Sequence, residues 1–519
     1  MQIRTSHLAL SGAVLLLLLA GQACTTNEGD IINHHYGGAP GEPGQPGQPG
    51  QPGQPGQPGQ PGQPAASGGD GNLPDSYPAH RPECDTLVPL EELALDLWGE
   101  DGHTFYLEVT PTMRQADDQR RCDGGNGGPP YVLGQNGEVE ELCPPSAVNV
   151  RVVPSGASEC SDTGKVELDL PGQSSWKPWA EIPNFKLDVG EFQDQEFSSG
   201  DKTVRLNNGQ ADSTIVREAT ALRIWRALDY PAPRTSFVRT QSNVWDYDFE
   251  VGAFATHNMV QPYKKAFFKD DLPDFAADLP RVTSAWEGQG NPFGGWADAE
   301  CEWSGEDDCQ DDVLADIVAL VLAAPRGEGF MAATEQVIDW PMIHQNQCLS
   351  ALTGTGDDWI HNNNNVVIAL RDDGKIMYLP YSTDISGGHP WYEFTPYDGP
   401  PGYGDDATLA VRCAEDPACR TLALDTCDSM IDRFQLLDIV TSVVDERCDA
   451  LEDADLARPA DADACDALEE FYGERADDLR EELEWLRTGG GMGGAGGMGG
   501  DGGFIPGVGG GIIGGPLDG

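Results

Sequence analysis

The 519-residue chain carries 86 Asp and Glu against 31 Lys and Arg, a formal charge of −55. Such a surface repels a phosphate backbone, so nucleic-acid binding is excluded as a main activity. The acidic run Glu306–Asp316 lacks the alternating ligands and central glycine of a calcium loop, and reads as a solvated loop pinned by Cys309.

The chain opens as an exported protein does. Arg4 supplies a positive start, and Leu8–Ala20 is an apolar run too short for a permanent membrane span. Gly21-Gln22-Ala23-Cys24 then resembles the lipobox of bacterial lipoproteins, so residues 1–23 read as a signal peptide and Cys24 as the lipidated residue that begins the anchor segment 24–37. Ordinary cleavage after Ala23, releasing a soluble protein, is the alternative. Thr25 resembles the outer-membrane sorting pattern of a diderm bacterium, which implies a periplasmic or cell-surface location. With Cys24 set aside, the other twelve of the 13 cysteines are enough for six bridges in an oxidising compartment, Cys301 with Cys309 among the plausible pairs. No Cys-x-x-Cys pair or His cluster at zinc spacing occurs, so structural zinc is not expected.

From Gly38 to Pro64 run nine unbroken Gly-X-Pro triplets. Glycine at every third place is what a collagen triple helix requires, and the same composition makes an extended polyproline-II stalk of roughly 80 Å at ~3.1 Å per residue. Residues 65–83 form a polar linker. Residues 84–487 have the composition of a globular unit, ample for a large core. Residues 488–519 are mostly glycine and predict a disordered tail.

Within the core, Val148–Val153 and Lys165–Leu170 alternate as half-buried strands, followed by strands over Asn184–Phe192 and Lys202–Asn208. Asp212-Ser213 caps a helix running to about Leu228, with Ile215, Ala219, Leu222 and Trp225 on one stripe. Asp466–Arg487 carries Leu468, Phe471, Leu479, Leu483 and Leu486 at helical spacing. A strand-rich first half followed by a mainly helical second half is an α+β pattern.

Three blocks carry a family likeness. Gly172-Gln173-Ser174-Ser175-Trp176 followed by PNFKLDVGEF is similar to the RGNSSW…KPYKIKF region of CotH-type proteins, with Pro171 where the family has Arg. KTVRLNNGQADSTIVREATALRIWRALDYPAPRTSFV resembles that family's LNN…DSxLRE…PAPR segment. DDWIHNNNNVVIALRDDGKIMYLPYSTDIS resembles its DxxHNxNN…PWDlDlsfG block. The likeness spans about residues 145–487.

The resemblance implies a divergent protein-kinase-like, two-lobed fold with a strand-rich N-lobe and a helical C-lobe. It implies ATP with Mg²⁺ or Mn²⁺ as cofactors, and serines of surface or coat proteins as acceptors. Carried onto this chain, Lys186 would hold ATP phosphates and Glu218 would pair with it. Asp358 would accept the proton of the substrate hydroxyl, Asn363 would hold a metal, and a carboxylate near residue 384 would hold the bridging ion. The Gly172, Ser174 and Ser175 turn would cover the phosphates. The set is chemically coherent, because phosphoryl transfer needs positioning and charge stabilisation more than covalent help.

The family's Pro-Trp-Asp is here Pro380-Tyr381-Ser382, so the expected metal-binding Asp is missing. Asp384, two residues on and on the same side of an extended strand, is the candidate substitute. Duller readings stand beside each role. Lys186 alone is a solvent-facing strand lysine, and Glu218 flanks Arg217 on an exposed helix face. His361 orients its loop, where the four amides of Asn362–Asn365 demand partners, and no nucleophile motif makes it part of a hydrolase triad. Trp176, Trp179, Trp225 and Trp245 belong to the core. The readings that follow are an exported kinase, a catalytically inactive domain for adhesion or display, and a disulfide-held structural coat component. If the triplets trimerise the chain, light scattering gives a homotrimer for the intact protein and a monomer once residues 38–64 are deleted; a trimer that survives the deletion places assembly elsewhere.

Overall fold

The computed structural model describes residues 81–110, 131–133, 139–141, 146–171, 177, 179, 182–209, 214–248, 254–288, 299–305, 308–355, 366–384, 386–387 and 409–488. Leader, anchor segment, triplet stalk and glycine tail lie outside them. The first half is built from β1 (Thr86–Leu87), β2 (His103–Glu108), a short hairpin β3 (Tyr131–Leu133) and β4 (Val139–Glu141), β5 (Ser146–Val153), β6 (Glu159–Asp169), β7 (Phe185–Asp188), β8 (Thr203–Asn207), α1 (Val216–Ala227), β9 (Thr235–Ser242), α2 (Asn243–Asp248) and β10 (Ala255–Val260).

These strands close on themselves. The pairing order β6-β5-β2-β9-β10-β8-β7 returns to β6 through Leu168↔Leu187 and its neighbours, giving a seven-stranded barrel with β1 added alongside β6. Closure removes both sheet edges and gives every strand an inside and an outside. Phe105, Leu107, Val150, Val166, Phe185, Leu187, Val204, Leu206, Val238 and Met259 fill the interior as one apolar cluster. The residues between them, Lys186, Arg205, Asn207 and Asn258, therefore face outward.

After β10 a π-helical turn (Phe267–Asp271) leads into α3 (Leu272–Phe275), β11 (Val282–Gly288), β12 (Glu300–Ser304), α4 (Asp311–Ala323), α5 (Phe330–Thr334), α6 (Trp340–Thr353), β13 (Val366–Arg371) and β14 (Ile376–Pro380). The chain ends in α7 (Leu409–Glu415), α8 (Pro417–Leu436), a second π turn (Val440–Asp445), α9 (Glu446–Asp453) and α10 (Pro459–Arg487). The second half is thus less helical than its sequence suggested. It holds a four-stranded antiparallel sheet, β12-β11-β13-β14. Both faces of that sheet are covered, Ile368, Leu370 and Tyr378 in one cluster and Val367, Ala369 and Leu379 in another. A strand buried on both faces reads as an unbroken apolar run and gives no alternation to recognise.

The mixed α+β class holds, and the four strands expected in the first half all form with shifted ends. β6 begins earlier than expected, at Glu159, and β7 stops at Asp188. Helix α10 also begins earlier, at Pro459, whose fixed φ suits a first helical turn and whose preceding Arg458 is bonded to Asp461. Of the acidic run Glu306–Asp316, expected as a loop throughout, Glu306 and Asp307 lie outside the described residues and Asp308–Gln310 form neither helix nor strand. Asp311 opens α4, where Asp311 and Asp312 sit in the first turn and complement the helix dipole. Cys309 is indeed bonded to Cys301, and four further bridges join Cys84–Cys160, Cys348–Cys427, Cys413–Cys419 and Cys448–Cys465. Cys122 and Cys143 lie outside the described residues. His344 comes to 3.7 Å and 3.6 Å from the sulfurs of Cys413 and Cys419, a cluster of zinc-ligand types that sequence spacing hides, but those sulfurs are bonded to each other.

His257 lies within this packed interior against Phe185, with Nε2 3.0 Å from the carbonyl of Pro183. Burial pushes its pKa down to about 4. The unfolded chain therefore takes up a proton between about pH 6.5 and pH 4 that the folded one refuses, and stability falls as pH is lowered through that window. Urea midpoints at pH 7, 6 and 5 should fall at up to ~1.4 kcal/mol per pH unit from this group, and His257→Gln should flatten the slope by that amount; an unchanged slope would mean the ring is charged in the fold.

Candidate functional site

The outward residues of the barrel make a polar patch where it meets α1 and the end of β14. Strand register sets its layout. Asp169 is opposite Lys186, Lys186 opposite Arg205, and Asn207 opposite Asn258, so one outer face carries all five. Helix α1 lies across this face and presents Glu218.

Glu218 is buried, and its Oε2 accepts hydrogen bonds from Asn207 Nδ2 at 2.8 Å and Asn258 Nδ2 at 2.9 Å. Burial, and after it the charge of Asp384, push its pKa up to about 7, against the two amide donors and the Arg205 guanidinium. A buried carboxyl within the field of a second carboxylate is favoured in its neutral form. Asn258 Oδ1 is also buried and has no donor among the described residues.

Asp384 follows β14 on a turn. The expected extended strand is absent, because Ser382 adopts φ 53°, the left-handed region, and turns the chain sharply. Its hydroxyl donates to Asp384 Oδ1 at 3.0 Å. Ser382 thus holds the neighbouring carboxylate in place of supplying one itself.

The expected Lys186–Glu218 pair is not formed. Lys186 Nζ lies 3.4 Å from Asp169 Oδ2, with about a third of its side chain exposed. The cation whose field reaches Glu218 is Arg205, next to Lys186 across the strand pair. Arg205 donates to the Tyr381 hydroxyl, stacks over its ring at 4.9 Å, and lies 3.7 Å from Glu287 and 3.9 Å from Glu302. Lys264 meets Glu302 at 3.0 Å. Sequence reasoning missed Arg205 because an arginine alternating with apolar residues on a strand reads as solvent-facing. Its only signal was its place two residues before the Asn207-Asn208 pair.

Glu218 and Arg217 are both buried, so the exposed-face reading of that helix segment fails. Trp179, Trp225 and Trp245 are core residues, as expected. Asp358, Asn363, Gly172, Ser174, Ser175, Trp176, His361 and Cys24 lie outside the described residues, as do Asp212 and Ser213, and α1 begins after Ile215 with no side-chain cap. Of the expected site, Asp384 acts on Glu218 through its charge, and Lys186 lies opposite Arg205 on the neighbouring strand.

The repulsion between Glu218 and Asp384 makes a directional prediction. Gln at 218 keeps an oxygen for both amides and drops the charge facing Asp384. With metal chelated at pH 8, Glu218→Gln should be more stable than wild type by about 1–2 kcal/mol in urea unfolding. The sign reverses the His257 effect: the folded state holds a proton on Glu218 that the unfolded state loses between about pH 4.5 and 7, so wild type loses stability as pH rises through that window and the variant does not. A variant less stable at pH 8 would refute the repulsion.

The family model described as CotH kinase protein matches residues 172–454, which contain every residue of this patch except Asp169. No curated protein matches the sequence. Among solved structures, a chain of the HipA–HipB toxin–antitoxin complex with operator DNA from Shewanella oneidensis MR-1 aligns at 12% identity over 55% of this chain and 60% of that one. Its TM-score of 0.28 is too low to define the fold. With the family model covering more than half of the sequence, and matching where the sequence blocks stand, the chain belongs to the CotH kinase protein family.

Proposed function

We propose that this protein is an exported, lipid-anchored, metal-dependent kinase that transfers phosphate from ATP to Ser or Thr of surface or coat proteins. What supports the reading is the buried Glu218 on the barrel's outer face, held by the amides of Asn207 and Asn258 and within the field of Asp384. The donors fit the ion the family uses. Glu218, Asp384 and the undonated Oδ1 of Asn258 are hard oxygen ligands, suited to Mg²⁺ or Mn²⁺. Glu218 and Asp384, with Asn363, would hold the ion, which when bound neutralises charge on the phosphate oxygens.

The chain's own residues do the rest. Lys186 exchanges Asp169 for phosphate oxygens; a partly exposed pair at 3.4 Å is weakly held and gives way at little cost. Asp358 takes the proton of the acceptor hydroxyl, and the turn of Gly172, Ser174 and Ser175 covers the phosphates, as the family resemblance implies. The stalk holds this unit away from the membrane, with lipid on Cys24 as the anchor.

A second reading has its own support. Ser382 stands where the family has Asp, and Glu218 is held by two amides with Lys186 turned to Asp169. An inactive domain used for adhesion, display or coat structure would tolerate both. Calorimetry separates the two on residues 84–487, folded and oxidised. The kinase reading predicts ATP binding that requires Mg²⁺ or Mn²⁺, is lost in Asp384→Ala and weakens at least about tenfold in Lys186→Ala. Absence of binding in wild type leaves the display reading.

A further inference from the structure

The segment that carries Asp384 is tied at both ends by arginines, Arg205 on β8 and Arg217 next to Glu218 on α1. At its start, Arg205 of β8 bonds and stacks on Tyr381. At its end, Arg217 of α1, the residue before Glu218, donates through Nη1 to the carbonyls of Ser386, at 3.0 Å, and Gly387. Ser386 Oγ returns a bond to the Arg217 carbonyl at 3.3 Å, and Gly387 N donates to Thr353 O at the end of α6 at 2.8 Å. Gly387 has φ 63°, and a Cβ there would meet Leu468 of α10 at 2.1 Å. Between the two ties lies the left-handed turn at Ser382 with its bond to Asp384.

We infer that Arg205 and Arg217 are positioning residues that hold Tyr381–Gly387 as a two-ended strap, setting Asp384 against Glu218 for a divalent cation. The inference rests on the proposed function, since it names what places that site's ligand. The geometry favours it over general packing. Arg217 is buried and cationic, yet among the described residues its Nη1 donates to two main-chain carbonyls of this strap, its Nε has no acceptor, and no carboxylate bonds it. A buried guanidinium is costly to desolvate, so a purely structural contact would be served as well by an apolar side chain. Backbone carbonyls fixed by a guanidinium leave the strap's position set by one rigid, planar group. Because Arg217 and Glu218 are adjacent on α1, strap and carboxylate share one helix as their reference.

The test measures Mn²⁺ affinity of the full-length protein by electron paramagnetic resonance, with ATP present, in Arg217→Met, Arg217→Lys, Arg205→Lys and Gly387→Ala. Hydrogen exchange of the 381–387 peptide and the unfolding midpoint are recorded alongside. Arg217→Met should weaken Mn²⁺ about 10- to 100-fold and speed exchange in the strap, while exchange in the barrel strands stays at the wild-type rate. Arg217→Lys, which keeps one donor, should recover part of the loss. Gly387→Ala, which keeps every charge but strains the positive-φ position and crowds Leu468 and Arg217 Nη1, should weaken Mn²⁺ in the same way. Wild-type Mn²⁺ affinity in folded Arg217→Met and Gly387→Ala overturns the inference and leaves the kinase reading standing. No Mn²⁺ binding by wild type overturns both.

Discussion

Everything at the candidate site follows from the closure of the barrel by β6 against β7. That pairing places Asp169 opposite Lys186 and forces Phe185 and Leu187 inward. A slip of one residue would turn Lys186 into the apolar interior and expose Phe185, so register is specified by the hydrophobic pattern itself. With the closure made, Lys186, Arg205, Asn207 and Asn258 share the outer face on which α1 lies. The barrel is a template, and the chemistry is carried on its outside.

Arginine does the joining. In a chain with 86 acidic and 31 basic residues, cations are scarce, and several are placed inside the fold. Arg447 of α9 reaches Asp101 beside β2, Arg371 of β13 is held between Asp339 and Asp373, and Arg226 and Arg234 converge on Asp271. Each links elements distant in sequence. A guanidinium offers five donors in a fixed plane and stays charged throughout, so it can satisfy a buried carboxylate and a carbonyl together. The exposed pairs, such as Lys202 with Asp194, contribute little by comparison. The surplus acidity on the surface keeps the unit soluble and repels polyanions.

The site departs from its family's pattern in a chemically consistent way. Ser382 cannot ligate as an Asp would, but on its left-handed turn its hydroxyl bonds Asp384, whose charge acts on Glu218. One residue has become a support for another two positions along. The same logic appears at Lys186, whose place beside Glu218 is partly taken by the field of Arg205. A phosphate-handling site depends on the summed field of its charges and on their placement, so ligands can move along the chain while the field is kept.

The sequence by itself determined the α+β class, four strands of the first half, the helix that carries Glu218 and the family. Those features are local: alternation, an apolar stripe at helical spacing, and blocks of residues in a set order. Only the tertiary structure decided that the strands close into a barrel, because closure is a pairing between strands that no local pattern records. It also decided that the second half holds a doubly covered sheet, whose continuous apolar runs resemble buried helix. Arg205 and the strap held by Arg217 were invisible for the same reason: their partners lie 176 and 169–170 residues away. A side chain's residue type shows what it can bond to, whereas which group it meets is set by how distant strands register and pack.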